Sequence, residues 1–194
     1  ILLDIARGLA ACHDAGVVHR ALWPEHVILE TTPGAGDSMA RLTGLGLGFT
    51  AELLDDSPAP ALAGSLAPEV VQGGAFTPAS DLYAFGSLVA AALLGRPVFM
   101  GSPDRVLRAQ VEQAPEGLDE LRSKGGLAGS LAALAQRCLH KEPTARYPSA
   151  TALVLALEAL VGSVRRGAVA PARLGWRLLL AAAMAGAVLP TLLL

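Results

Sequence analysis

Residues 81–94 read DLYAFGSLVAAALL and are followed by Gly95. After Asp81 no charged side chain interrupts the run, and apolar residues fall on nearly every side of a helical projection. A helix that is apolar all round must be buried, either in a protein core or in a bilayer. Fourteen residues rise only about 21 Å as a helix, short of a membrane crossing. The run is therefore predicted to be the buried central helix of a globular domain, closed at Gly95, where a left-handed residue is cheap. The rest of the chain is read as what packs around it.

Upstream, Ile1 to Ala15 places apolar residues at 2, 5, 9 and 12 and predicts a helix ending at Gly16. Val17-Val18 and Val27-Ile28-Leu29 read as short buried strands. Thr31 to Ser38, with Pro33, Gly34 and Gly36, reads as a hairpin loop, and Arg41 to Leu45 as the return strand. Glu52 to Leu66 reads as irregular. Downstream, helices are predicted over Pro103 to Gln113, Leu127 to Leu139 and Ala150 to Val161. Ser102 before Pro103 makes a good cap and first-position pair.

The order from the N-terminal side resembles the C-terminal lobe of a eukaryotic-type serine/threonine protein kinase. Ile5 to Leu9, then Cys12 to Arg20, resemble the helix leading into the family's catalytic loop. Ala21-Leu22-Trp23-Pro24-Glu25-His26-Val27-Ile28-Leu29 stands in the place of that loop. Arg41 to Gly46 sits where the metal-binding Asp-Phe-Gly segment belongs. Ala67-Pro68-Glu69 matches the end of the activation segment, and Ser80 to Gly86 the start of the central helix. Gly95 to Phe99 resembles the exit from that helix. Cys138 to Pro143 and Ala145 to Ser149 resemble the last conserved turn. Each match alone is weak; the matches in this order, over about residues 1–160, are strong.

The resemblance implies a mostly α fold: a helical bundle with short β-hairpins, here lacking the N-terminal lobe that carries the glycine-rich loop and its lysine. It also implies that Asp81 hydrogen-bonds the backbone around His19 and Arg20, and that Glu69 and Arg146 form a buried ion pair. The departures fall on the chemistry. The family's transfer reaction uses an Asp near the substrate hydroxyl, a Lys at the phosphate, and an Asn and a second Asp on magnesium. At these positions the chain has Ala21, Trp23, His26 and Gly44. No Asn occurs anywhere, and the only lysines are Lys124 and Lys141. Alanine and glycine offer no acceptor, and an imidazole is a poor ligand for a hard cation. Scaffold residues kept and reagents lost is the pattern of a pseudokinase.

The readings left open are a pseudokinase acting as a binding or signalling scaffold, a fragment of a transmembrane kinase that transfers phosphate from ATP to Ser or Thr, and a non-functional gene remnant. A protein partner is expected. No cofactor is expected; ATP and magnesium enter only if an N-lobe is present and the enzyme reading holds.

The 194-residue chain is 53% hydrophobic and 16% charged, with net charge −2. Such a chain buries a real core, and its charge gives no reason to expect a nucleic-acid partner. Two cysteines are too few for a disulfide framework. The chain opens on Ile1 rather than Met and is read as a piece or a processed product. From Leu178 to Leu194 no charged residue appears in 17 positions. As a helix that is roughly 25 Å, extendable toward Leu174. Arg165, Arg166, Arg173 and Arg177 precede it, and no basic residue follows. Basic flanks stay on the cytoplasmic side. The expected organisation is a kinase-like domain over 1–162, a basic juxtamembrane linker over 163–177, and a single transmembrane helix over 178–194. Residues 1–162 are expected in the cytoplasm.

Overall fold

In the computed structural model the structure describes residues 1–20, 22–31, 38–45 and 60–167. The fold is mostly helical, with a single two-stranded sheet among the described residues. Helix α1 spans Leu2–Asp14, strand β1 Val27–Thr31 and strand β2 Ser38–Leu42. Helices α2 (Pro60–Ala63) and α3 (Pro68–Val71) are single turns. The long helices are α4 (Pro78–Leu94), α5 (Pro103–Glu112), α7 (Gly126–Cys138) and α8 (Ala150–Arg165), with the shorter α6 (Leu118–Lys124) before α7.

Helix α4 is the axis of the core. Every residue from Ser80 to Ala90 is buried. It begins three residues before the sequence-predicted start because Thr77 and Ser80 form a reciprocal capping box, with Pro78 in the first turn. It ends at Gly95, φ 66°. Its closest neighbour is α7. A Cβ at Gly86 would fall 2.5 Å from Cys138 Cβ and 3.2 Å from the Ala135 carbonyl. Glycine there lets the two helices touch backbone to side chain, and any larger residue would force them apart.

Helix α1 packs against α8 and β2. Ile5 and Leu9 face the core, as do Leu153 and Leu157 of α8, and Arg7 bridges to Glu158 at 2.8 Å on the outside. The strands pair antiparallel with Thr31 opposite Ser38 and Val27 opposite Leu42. The return strand thus lies three residues earlier than predicted. Leu29 and Ala40 are register partners on the inner face. Ile28 and Met39 lie on the outer face, 49% and 54% exposed, beside the Glu30–Arg41 ion pair. The expectation that β1 is buried holds for one face only, since a lone hairpin on a helix can cover just one side. Val17-Val18 forms no strand. The Val17 N–H instead donates to the Cys12 carbonyl at 2.8 Å and closes α1.

Helices α2, α3 and α6 were not predicted. They are short, and four to seven residues are too few to show a helical period. Helix α8 runs to Arg165, past the predicted domain boundary at 162. Among the described residues one helical stretch, Pro143–Arg165, is long and apolar enough to cross a membrane by length and composition. It contributes Leu153 and Leu157 to the core. The apolar run 178–194 lies outside the described residues.

Candidate functional site

The first turn of α4 organises the site. Asp81 is buried, and its carboxylate accepts the His19 N–H at 2.7 Å on Oδ2 and the Arg20 N–H at 2.8 Å on Oδ1. The His13 Nε2 lies 2.9 Å from Oδ2. Bonds from two consecutive backbone amides to one carboxylate fix the path of the loop. They also hold Arg20 at φ 68°, the one left-handed non-glycine residue among those described. Such a conformation persists only when surrounding bonds over-determine it. His19 is fully buried. Burial pushes its imidazole below the ordinary range, against the opposing pull of Asp81.

The loop then turns over α4. Leu22 is buried, and Pro24–His26 forms a single 3-10 turn. The Trp23 indole stacks on the His26 imidazole, centroids 4.2 Å apart and planes inclined by 27°. The His19 and His26 rings are 6.2 Å apart. The Thr43 N–H donates to the His26 carbonyl at 2.9 Å, which sets Gly44, φ 76°, directly beside the His26 ring. Three of the sequence-selected positions, Trp23, His26 and Gly44, therefore meet at one point. Ala21 lies outside the described residues. Leu62 and Ala63, ahead of Ala67-Pro68-Glu69, are both buried in the core.

A second centre lies under the segment that ends at Glu69. Arg146 is buried and uses its whole guanidinium. It donates to Glu69 Oε1 and Oε2 at 2.7 Å each, to the Ala79 carbonyl at 2.9 Å, to the His140 carbonyl at 2.8 Å and to the Lys141 carbonyl at 3.1 Å. Its Cζ lies 5.0 Å from the centroid of the Tyr83 ring. Tyr83 donates to Gln110 Oε1 at 2.6 Å, and Gln110 donates to the Ala63 carbonyl at 2.9 Å. Lys141 donates to the Gln110 carbonyl at 2.5 Å. Burial, and then the neighbouring Arg146, push its pKa down to about 8. His13, Gln110 and Lys141 gave no sequence signal as partners, because the residues they meet are distant in the chain.

Between the loop and the α4–α5 connection is an open cavity of about 270 Å³. Its walls include Leu22, Trp23, Leu88 and Phe99, with Glu25 and Ser65 as polar members. Among the described residues no group of three or more His, Cys, Asp or Glu side chains is placed to hold a metal ion.

A mostly helical domain with a small sheet, a carboxylate-pinned loop and a bidentate Glu–Arg pair has the architecture of a protein kinase domain. The chain belongs to that family, whose model, described as "Protein kinase domain", matches residues 1–156. It is 35% identical over 154 residues to the serine/threonine-protein kinase PkaB of Streptomyces coelicolor, and 34% identical over 169 residues to the serine/threonine-protein kinase pkn2 of Myxococcus xanthus. Identity to the serine/threonine-protein kinase PknK of Mycobacterium tuberculosis is 31% over 152 residues. The alignments cover 75%, 82% and 76% of this chain, but only 35%, 20% and 13% of those relatives.

Proposed function

We propose that this chain is a kinase-like domain, corresponding to the family's C-terminal lobe, that does not transfer phosphate and acts by binding. The carrying observation is the content of the reaction centre. Where the family places a magnesium-binding Asp the chain has Gly44, and where it places an Asn the His26 ring is stacked on Trp23. Glycine supplies no oxygen, and magnesium binds hard oxygen donors in a near-octahedral shell. These residues do not fit the metal. Charge stabilisation of the transferred group is most of the catalysis in phosphoryl transfer, and its loss costs orders of magnitude in rate.

The scaffold reading takes a protein segment as partner, with the mostly apolar cavity beside Trp23 as the place to receive it. Membrane attachment rests on the apolar run 178–194 and the arginines that precede it. The charge asymmetry then puts residues 1–162 on the cytoplasmic side.

A second reading takes its support from the relatives' names as serine/threonine kinases and from the apolar run 178–194: this chain is part of a transmembrane kinase that phosphorylates proteins. One experiment separates the two. The full chain is incubated with labelled ATP, magnesium or manganese, and generic protein substrates. The scaffold reading expects no transfer above background. Transfer that survives repurification and is lost in Arg20→Ala would establish the enzyme instead.

A further inference from the structure

The ring of His26 occupies the space that a side chain at position 44 would need. A Cβ built on Gly44 falls 2.7 Å from both Cε1 and Nδ1 of that ring and 2.8 Å from Cδ2. Side-chain carbons do not approach that closely, so one of the two must move. Neither is free to do so. The ring is stacked on the Trp23 indole, centroids 4.2 Å apart. The backbone of 43–44 is held by two bonds from Thr43 to the His26 carbonyl, from N–H at 2.9 Å and from the hydroxyl at 3.3 Å. Gly44 also sits at φ 76°, where any Cβ adds strain.

We propose that Trp23, His26 and Gly44 form one interlocked unit in which an imidazole stacked on an indole closes the family's divalent-cation position, so that restoring an acid at position 44 alone does not reopen it. The three changes are then one structural solution, not three separate losses. With a ring at 26, position 44 must be glycine. With glycine at 44, the ring has a pocket to lie in, and Trp23 seals it. The consequence is that restoring the acid alone, by Gly44→Asp, drives its Cβ into the imidazole.

The inference rests on the alignment of positions 26 and 44 used in the proposed function, but its test is separate from activity. A double-mutant cycle in the full chain compares the parent, Gly44→Ala, His26→Asn and the double variant by thermal unfolding. The backbone strain at 44 is present in both backgrounds and cancels, which leaves the contact between the two positions. Gly44→Ala is expected to lower the midpoint by several degrees in the parent and by less than half as much beside His26→Asn. Failure of Gly44→Ala to fold at all, with the double variant folded, is the same result in stronger form. Equal drops in both backgrounds would overturn the proposal.

A second measurement uses Mn²⁺ alone as the probe, followed by the resonance signal of the free ion. The parent is expected to show no saturable site. Saturable binding that disappears in His26→Ala would mean that the imidazole is a ligand, not a plug, and would also overturn it. Phosphotransfer by the parent would remove the inactive reading and, because that reaction needs a divalent cation, the closed position with it; equal drops in the cycle without phosphotransfer would overturn the interlock and leave the inactive reading standing.

Discussion

Arg146 and Glu69 meet through two parallel hydrogen bonds of 2.7 Å, across 77 positions of sequence. The guanidinium is wholly buried, while the carboxylate is 22% exposed. Removing the acid strands a charge in the core, which costs roughly 3 kcal/mol or more. In a domain of this size each kcal/mol shifts the midpoint by about 2–4 °C. Glu69→Ala is expected to unfold some 6–12 °C below the parent on that scale, with Glu69→Gln closer to the parent. Calorimetry or circular dichroism reads this directly, and an unchanged midpoint would show that the pair contributes nothing.

Asp81 and Arg20 should be coupled through the backbone. Asp81→Ala removes the bonds that hold Arg20 in the left-handed region and leaves two amides unpaired, a loss of a few kcal/mol. Arg20→Gly relieves the strain at about 1 kcal/mol. With those bonds gone Arg20 leaves the left-handed region and glycine has no strain left to relieve, so the double variant is expected to be less stable than the sum of the two single effects implies. Strict additivity in chemical denaturation would mean that the left-handed residue stores no strain.

Lys141 gives a pH signature. Its folded pKa, about 8, lies below the ordinary lysine value of 10.5. Between those values the unfolded chain binds more protons than the folded one, so this residue makes stability rise with pH across that window. Below pH 8 both states are protonated and its destabilising effect is constant. Tyr83 and Cys138 act in the opposite sense above pH 9 to 10, since burial raises both. The test is therefore a difference: the parent minus Lys141→Met should gain stability between pH 8 and 10. A flat difference would place the ammonium in water.

Cys138 has its thiol pushed up to about 12, chiefly by burial, and is closed in where α4 and α7 touch. Alkylation at pH 8 should spare it in the native chain, while Cys12, partly exposed, reacts first. Mass spectrometry after a denaturant series should show Cys138 labelled in step with global unfolding. Labelling well below the unfolding midpoint would mean that α4 and α7 separate locally.

Much of the fold was legible because its signals are local. The apolar run 81–94, the glycine that ends it, the period of residues 2, 5 and 9, and the turn residues between the strands each act within a few positions. Local signals failed where a neighbour decides. Ile28 has the composition of a buried strand residue, but it is exposed because the hairpin has a helix on one face only. Helix α6 carries too few apolar residues to show a period. Its register comes from packing against α7.

At the site the sequence by itself determined which functional groups stand at the positions singled out by the resemblance: no side-chain oxygen at Gly44, an indole at Trp23, an imidazole at His26. Those are covalent facts, independent of conformation. The tertiary structure alone decided how the replacements stand to one another. Eighteen positions separate His26 from Gly44, and only the pairing of Thr43 with the His26 carbonyl sets glycine against the ring. The same holds for His13, Gln110 and Lys141. Hydrogen bonds form over about 3 Å, whereas sequence separation carries no distance, so the partners appear only once the helices have packed.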